Sequence, residues 1–142
     1  MAINFYFEQP VTLKQRNQLK LFIGSVFKTE KKMPAAISYI FCSDEYLLNI
    51  NRQFLKHDYY TDIITFVLSD SKTGPQIAEI YISVDRVKDN ANTLAVPLTQ
   101  ELHRVIFHGA LHLCGYKDKT TGQKTLMRSK EDLYLRKYGL LP

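Results

Sequence analysis

The chain of 142 residues is the size of one domain, and its 45% hydrophobic content is enough to build a buried core, so we expect residues 1–142 to fold as a single domain. The net charge of +5 is compatible with a polyanionic partner such as nucleic acid, and equally with a solvated helix face. No stretch approaches the roughly 18 consecutive apolar residues of a membrane span, and the N-terminus lacks the pattern of a signal peptide. We therefore expect no membrane partner and a cytoplasmic location.

The first half of the chain predicts strands that alternate with helices. Apolar and more polar residues alternate over residues 3–8, which is the pattern of a half-buried strand. Thr12 is the expected N-cap of a helix that continues to about residue 29. A second strand is expected at 35–42, and Ser43 then begins a short helix with acidic residues in its first turn.

The second half predicts two strands and then three helices. The strands are expected at 62–69 and 77–84, joined by a polar turn that contains Gly74 and Pro75. The helices are expected at about 85–95, 99–114 and 122–138, with Pro97 separating the first two. This order of elements predicts an α+β fold, in which helices pack on a small mixed sheet.

From residue 105 to residue 114, the helix expected at 99–114 is apolar except for two histidines, and we therefore expect it to be central. His108 and His112 are four residues apart, so their imidazoles project from one side of the helix, as two ligands of one ion require. Gly115 suits a helix end that returns the chain towards the histidines, where Asp118 would supply a third ligand. This spacing is that of metzincin-type zinc sites. The pattern predicts a metal site at the C-terminal end of a central helix, although one buried histidine alone would more often be a hydrogen-bonded core residue.

The residue beside the first histidine limits the chemistry. A metalloprotease needs a glutamate at this position as a base, and the chain has Gly109. Peptide hydrolysis of the metzincin type is therefore not expected, whereas metal-assisted hydrolysis of a phosphate ester stays open. Three protein ligands with a fourth position left for water describe a catalytic site better than a structural one.

The other histidines and the cysteines are weaker ligand candidates. Cys114 is close in sequence, but helical geometry turns it away from the histidines and into the core. Cys42 and Cys114 lie far apart without a CxxC pairing, and we expect packed thiols of a reducing compartment. His103 lies off the apolar stripe and His57 in a loop, so neither is a first-choice ligand.

Three stretches carry a family resemblance. Residues 50–66, INRQFLKHDYYTDIITF, are similar to the motif LNxxYRxxDxPTDVLSF. Residues 78–91, AEIYISVDRVKDNA, are similar to a GDIxIS strand with its following helix. Residues 101–118, ELHRVIFHGALHLCGYKD, are similar to the motif HGxLHLxGYDH. In these segments the chain resembles the YbeY family of bacterial endoribonucleases. The resemblance implies a four-stranded α+β fold, one zinc ion, and cleavage of single-stranded RNA in 16S rRNA processing and ribosome quality control. Ribosomal RNA, the ribosome and ribosomal proteins are the implied partners.

When the family motif is matched residue by residue, it implies a metal site in this chain with one of the three ligands replaced. His108 and His112 match the first two zinc ligands, and Asp118 stands where the family has a third histidine. A carboxylate keeps a donor but adds negative charge beside the ion, which makes bound water less acidic and alters metal preference. Zinc is therefore favoured, and another divalent metal stays open.

The residues that the family motif would supply for RNA recognition are only partly matched in this chain. The arginine of the family motif falls on Leu55, which cannot hold a phosphate. Arg104, Lys56, Arg52 and the basic C-terminal helix are candidate contacts to RNA, with solvated surface charge as the alternative. Glu79 stands where the family has an aspartate, and it is a candidate to orient a ligand histidine or else a surface residue.

No residue stands out in the sequence as a general base, so catalysis is unassigned beyond metal-bound water. Thr61 and Asp62 match the TD pair of the family, and we expect them to make capping or turn hydrogen bonds. Two alternatives to the endoribonuclease stay open: a non-catalytic, metal-stabilised ribosome-biogenesis factor, and a metallohydrolase of another substrate class.

Overall fold

A mixed β-sheet and five helices make up the residues that the computed structural model describes, which are 1–69 and 75–142. The strands are β1 (Ala2–Phe7), β2 (Ala36–Cys42), β3 (Ile63–Val67) and β4 (Ile77–Ser83). The helices are α1 (Arg16–Thr29), α2 (Asp44–Phe54), α3 (Val84–Leu94), α4 (Leu98–Leu113) and α5 (Thr121–Tyr138). The predicted α+β class, with a four-stranded mixed sheet, is confirmed.

The sheet has the strand order β1-β2-β4-β3. The first three strands in this order are parallel, and β3 pairs with β4 in the antiparallel sense. β3 is therefore an edge strand whose outer side has no strand partner among the described residues. The turn predicted between β3 and β4 falls largely on residues 70–74, which lie outside the described residues.

Side-chain caps begin α2, α3 and α5, whereas α1 and α4 begin without one. Ser43 Oγ accepts a hydrogen bond from the Tyr46 amide at the start of α2, as predicted, and Thr120 forms a capping box with Gln123 at the start of α5. The prediction of Thr12 as the cap of α1 is wrong, because this helix begins only at Arg16. The preceding segment stays non-helical and buries Leu13 in the core.

Helix α4 is central, as predicted. It packs against α1, α3 and α5 and lies on one face of β3 and β4. Gly109 faces this sheet: a Cβ atom built there would lie 3.0 Å from both Ile63 Cδ1 and Ile80 Cγ2. The absence of a side chain therefore lets the backbone of α4 approach the sheet closely.

The other face of the sheet carries a smaller apolar cluster. Cys42, Leu47 and Ile64 form its buried part, with Phe66 and Tyr81 packed against them. Both cysteines are free thiols, and burial raises the pKa of Cys42 and of Cys114 to about 12, so the prediction of packed thiols is confirmed. Among the described residues, no helix is long and apolar enough to cross a membrane.

Candidate metal centre

The end of α4 turns the chain back on itself. The Gly115 amide donates to the His112 carbonyl at 3.0 Å, and the Tyr116 amide donates to the Leu111 carbonyl at 3.1 Å. These two bonds form a Schellman motif, whose αL residue is Gly115 with a φ of 103°. A side chain at this position would be strained, so glycine is what allows the turn to carry Asp118 towards the helix.

His108, His112 and Asp118 come together at this turn. Asp118 Oδ2 lies 3.2 Å from His108 Nε2 and 3.3 Å from His112 Nε2, and the three candidate donor atoms all lie within 4.8 Å of one another. Bonds of about 2.0–2.2 Å in tetrahedral geometry place two ligand atoms about 3.4 Å apart. The donor set therefore fits a small divalent ion in both chemistry and spacing.

His108 and His112 face Asp118 through Nε2, and each is held in place by a contact at Nδ1. His108 Nδ1 lies 2.6 Å from Glu131 Oε2, and His112 Nδ1 lies 2.9 Å from the Tyr116 carbonyl oxygen. A carbonyl and an ionised carboxylate only accept hydrogen bonds, so both Nδ1 atoms must donate. A neutral imidazole then keeps its lone pair at Nε2, the atom that faces Asp118, as a metal ligand requires.

Glu131 is in turn held by an arginine. Arg104 Nη1 lies 3.1 Å from Glu131 Oε1, and Arg104 Nη2 lies 2.8 Å from Asp132 Oδ1. The Arg104 side chain is only 12% exposed. Its guanidinium is thus occupied in supporting the carboxylate behind His108, which leaves little of it to bind RNA.

The charges around the centre shift two pKa values. Burial lowers the pKa of His108, but the hydrogen bond and charge of Glu131, with the charges of Asp118 and Asp62, outweigh burial and leave it raised. Burial raises the pKa of Asp62, and the charges of Glu131 and Asp118 raise it further, while His108 opposes them. In the absence of a cation the centre therefore favours protonation of both groups.

A second network fixes the loop that follows Gly115. The Glu30 carboxylate, next to the end of α1, accepts hydrogen bonds from the hydroxyls of Tyr116, at 2.6 Å, and Tyr134. Lys130 Nζ lies 3.4 Å from the same carboxylate. Because the Tyr116 carbonyl accepts from His112, this network connects α1 and α5 to the orientation of a metal-ligand candidate.

A large cleft opens from the three ligand candidates. Its volume is about 1320 Å³, and it extends along β3, with Asp62, Ile63, Thr65 and Val67 in its lining. Basic side chains also line it, namely Lys31, Lys32 and Lys119, and so do three residues of the α2–β3 loop, namely Leu55, His57 and Tyr59. A smaller cavity of about 340 Å³ shares His108, Asp118 and Asp62 with the cleft and contains Arg104 and Glu131.

Glu79 does not lie at the centre, and its predicted role as an orienting carboxylate is not supported. Its strand neighbours Ala78 and Ile80 are buried, and Ile80 packs against α4 at Gly109. Side chains alternate along a strand, so Glu79 points to the opposite face, where it accepts a hydrogen bond from Tyr81 Oη at 3.1 Å. The carboxylate that holds the Nδ1 atom of a candidate ligand, His108, is that of Glu131.

The remaining predicted RNA contacts are exposed. Arg52 Nε forms an ion pair with Asp58 Oδ1 at 2.5 Å, and Lys56 lies exposed in the loop after α2 with a φ of 58°. Leu55 is 39% exposed and lines the cleft, where it presents an apolar side chain in place of the arginine of the family motif.

Two residues of the centre were missed in the sequence. Glu131 occupies the buried face of α5 together with Met127, Tyr134 and Leu135, so an acid within an apolar helical stripe was the available signal. Asp62 was expected only to make turn hydrogen bonds. Asp62 instead lines both cavities. It lies just before β3, and no residue spacing in the sequence indicates that this strand packs beside the ligand candidates of α4.

The chain is similar to proteins of one family along nearly its whole length. The family model for Endoribonuclease YbeY matches residues 6–139. Curated proteins named Endoribonuclease YbeY include one from Cytophaga hutchinsonii, 52% identical over 94% of this chain and 96% of the relative. Another, from Parabacteroides distasonis, is 44% identical over 100% of this chain and 97% of the relative. The solution structure of TM1509 from Thermotoga maritima has a TM-score of 0.65 at 24% identity, covering 97% of this chain and 91% of that one, which supports the fold.

Proposed function

This chain belongs to the Endoribonuclease YbeY family, and on that premise we propose that it is a metal-dependent endoribonuclease that cuts single-stranded RNA in 16S rRNA processing. Its relatives are named endoribonucleases, so the chain is a hydrolase of ester bonds in RNA. The observation that carries the metal dependence is the convergence of His108, His112 and Asp118 at the wall of a large open cleft.

In this proposal each residue of the centre has one task. His108, His112 and Asp118 hold the ion, while Glu131 and the Tyr116 carbonyl orient the two imidazoles. When bound, the ion supplies Lewis acidity towards a phosphate oxygen and towards water. The cleft opens this point to a phosphodiester, and Lys31, Lys32 and Lys119 supply positive charge for neighbouring phosphates.

We propose zinc as the ion. Two imidazoles and one carboxylate form a donor set found in catalytic zinc sites, and the spacing of the donor atoms suits bonds of about 2.0–2.2 Å. The carboxylate of Asp118 also suits harder divalent ions, so metal analysis of the purified protein decides the identity.

The setting of the reaction is likewise a proposal. We propose that residues 1–142 act as one domain, in the cytoplasm, on ribosomal RNA in association with the ribosome and ribosomal proteins, including a part in ribosome quality control. Lys56 is exposed and remains a proposed RNA contact. Arg52 and Arg104 are ion-paired, and we expect smaller contributions from them.

A cleavage assay with chelation tests the function. Purified protein is incubated with a labelled, unstructured RNA, with and without a chelator, and then with zinc or manganese restored. H112A, prepared in parallel, controls for contaminating nuclease, and thermal unfolding verifies that it is folded. We expect cleavage by the wild-type protein that chelation abolishes and one metal restores.

Two outcomes would contradict parts of the proposal. Cleavage that persists in the chelator, or in H112A, would show that the centre does not support the reaction. Stoichiometric metal binding without cleavage of any RNA tested, including precursor rRNA in ribosomal particles, would favour a non-catalytic factor.

A further inference from the structure

A pair of aromatic rings lies in the same cleft as the metal-ligand candidates. His57 and Tyr59 stack with ring centroids 5.1 Å apart and an interplanar angle of 21°, and Tyr59 Oη lies 3.0 Å from His57 Nδ1. Both side chains are exposed, and Tyr59 keeps 56% of its surface open to solvent. Together with Leu55 they form what we call the loop wall, defined as Leu55, His57 and Tyr59.

The backbone beneath the loop wall is fixed from inside the protein. Asn51, which is 1% exposed, donates from Nδ2 to the Tyr59 carbonyl at 2.9 Å, and its own carbonyl accepts from the His57 amide at 3.2 Å. These bonds hold the loop at both aromatic residues while the rings stay uncovered. A ligand that stacks on the rings would therefore meet a surface already in position, which lowers the ordering cost of binding.

The chemistry of the cleft indicates what stacks there. Unpaired RNA bases stack on exposed aromatic side chains, and their phosphates require positive charge nearby. Lys31, Lys32 and Lys119 line the cleft, which favours a polyanion over an apolar peptide. Leu55 presents no donor to a phosphate and offers apolar contact, while the exposed ring faces of His57 and Tyr59 offer a stacking surface.

Resting on the proposed endoribonuclease activity, we propose that the loop wall is a base-binding subsite in which an unpaired nucleobase near the scissile phosphodiester stacks on the ring pair of His57 and Tyr59. The subsite recognises the flat face of a base and tolerates any sequence, because every base presents a π-face. It thereby selects single-stranded RNA, since a base within a duplex has no face free to stack.

Binding to an uncleavable RNA tests the subsite separately from catalysis. The probe is a fluorescent, unstructured 2′-O-methyl decamer, and its affinity is measured for the full-length, metal-loaded wild type, Y59A, Y59F and Y6A. Tyr6 on β1 is the matched control, because it is 51% exposed and does not line the cleft. We expect Y59A to weaken binding by about 5- to 100-fold, Y59F to stay within about threefold of wild type, and Y6A to be unchanged.

An abasic scan of the same decamer identifies the stacked base. We expect one abasic position to weaken binding to the wild type by about 5- to 100-fold and to have no further effect on Y59A. Equal binding by Y59A and Y6A, or the same abasic penalty in Y59A as in the wild type, would overturn the subsite, as would a wild type that does not bind the decamer. Since no cleavage is read, a protein that shows the Tyr59 effect yet never cuts RNA would contradict the proposed activity while keeping the subsite.

Discussion

His108 Nδ1 and Glu131 Oε2 lie 2.6 Å apart, which connects the first ligand candidate on α4 to a buried carboxylate on α5. The same carboxylate binds Arg104 through its other oxygen. The orientation of the His108 imidazole thus depends on the negative charge of Glu131, which the Arg104 guanidinium stabilises. Removing that charge tests whether α5 belongs to the metal centre.

We expect E131Q to lower metal affinity by about 10- to 100-fold, because the orienting group keeps an acceptor but loses its charge. D132N is the matched control, since Asp132 also binds Arg104 but does not contact a histidine. Metal titration with a competing chelator measures both variants. Equal metal affinities for E131Q and D132N would mean that the charge of Glu131 stabilises the fold but does not contribute to metal binding.

Replacing Asp118 tests the third ligand. We expect D118A to lose roughly 100-fold or more in metal affinity, because one of three protein ligands is removed. We expect D118H to keep the ion and to cleave RNA at lower pH than the wild type, because a neutral donor leaves the ion more electrophilic. The measurements are metal titration and the pH profile of cleavage, with the exposed Asp89 changed to alanine as a control. A D118A protein with full affinity would show that the third ligand lies elsewhere.

The metal-free protein should lose stability as pH rises through the titration of His108. The pKa of His108 is raised, since the hydrogen bond and charge of Glu131 outweigh the effect of burial. A raised pKa in the folded state means that the protonated form adds stability, fully present below the ordinary value of about 6.5 and lost as pH rises through the folded-state pKa. Urea unfolding of the metal-free protein between about pH 5 and about pH 9 measures this slope.

An H108N variant supplies the comparison for that slope, because it cannot titrate at this position. A metal-free wild type and H108N with parallel stability profiles would contradict the prediction. Added metal should reverse the trend in the wild type, since the ion needs the unprotonated imidazole and its affinity falls in acid.

Glu30 should affect the metal centre from a distance. Burial raises its pKa, but the hydrogen bonds from Tyr116 and Tyr134 and the charge of Lys130 outweigh burial and lower it, so the group is ionised at neutral pH. We expect E30Q to destabilise the fold by about 1–3 kcal/mol, because buried donors lose a charged acceptor. Metal affinity should fall with it, since the Tyr116 carbonyl orients His112. Urea unfolding and metal titration test this, with the exposed Glu8 changed to glutamine as control; an E30Q protein equal to E8Q in both would contradict the connection.

Local patterns were sufficient to predict much of this molecule. Strand alternation, helix periodicity and the Ser43 cap gave the elements within a few residues. The spacing of His108, His112, Gly115 and Asp118 predicted a turn that the Schellman bonds now account for. These features depend on residues within about three helical turns of one another, where backbone geometry leaves few alternatives.

Contacts between distant segments were beyond such patterns. Glu131 meets His108 only because α5 packs on α4, and Glu79 lies away from the centre because of the face that β4 presents to α4. Thr12 is a suitable cap by residue type, yet the helix begins only at Arg16, and Leu13 is buried in the non-helical segment before it. The positions of Glu131 and Glu79 follow from the packing of whole elements, which the spacing of residues within one element does not report.

Gly109 sets a limit on how this helix can change over evolutionary time. A Cβ atom there would lie only 3.0 Å from side-chain atoms of Ile63 and Ile80, so these neighbours would have to move by a few tenths of an ångström. A glutamate at 109 would thus begin its side chain against two isoleucines, where a charge without a partner is costly. A peptidase-like base at this position would therefore require Ile63 or Ile80 to shift or to become smaller as well, which ties the chemistry of α4 to the packing of the sheet.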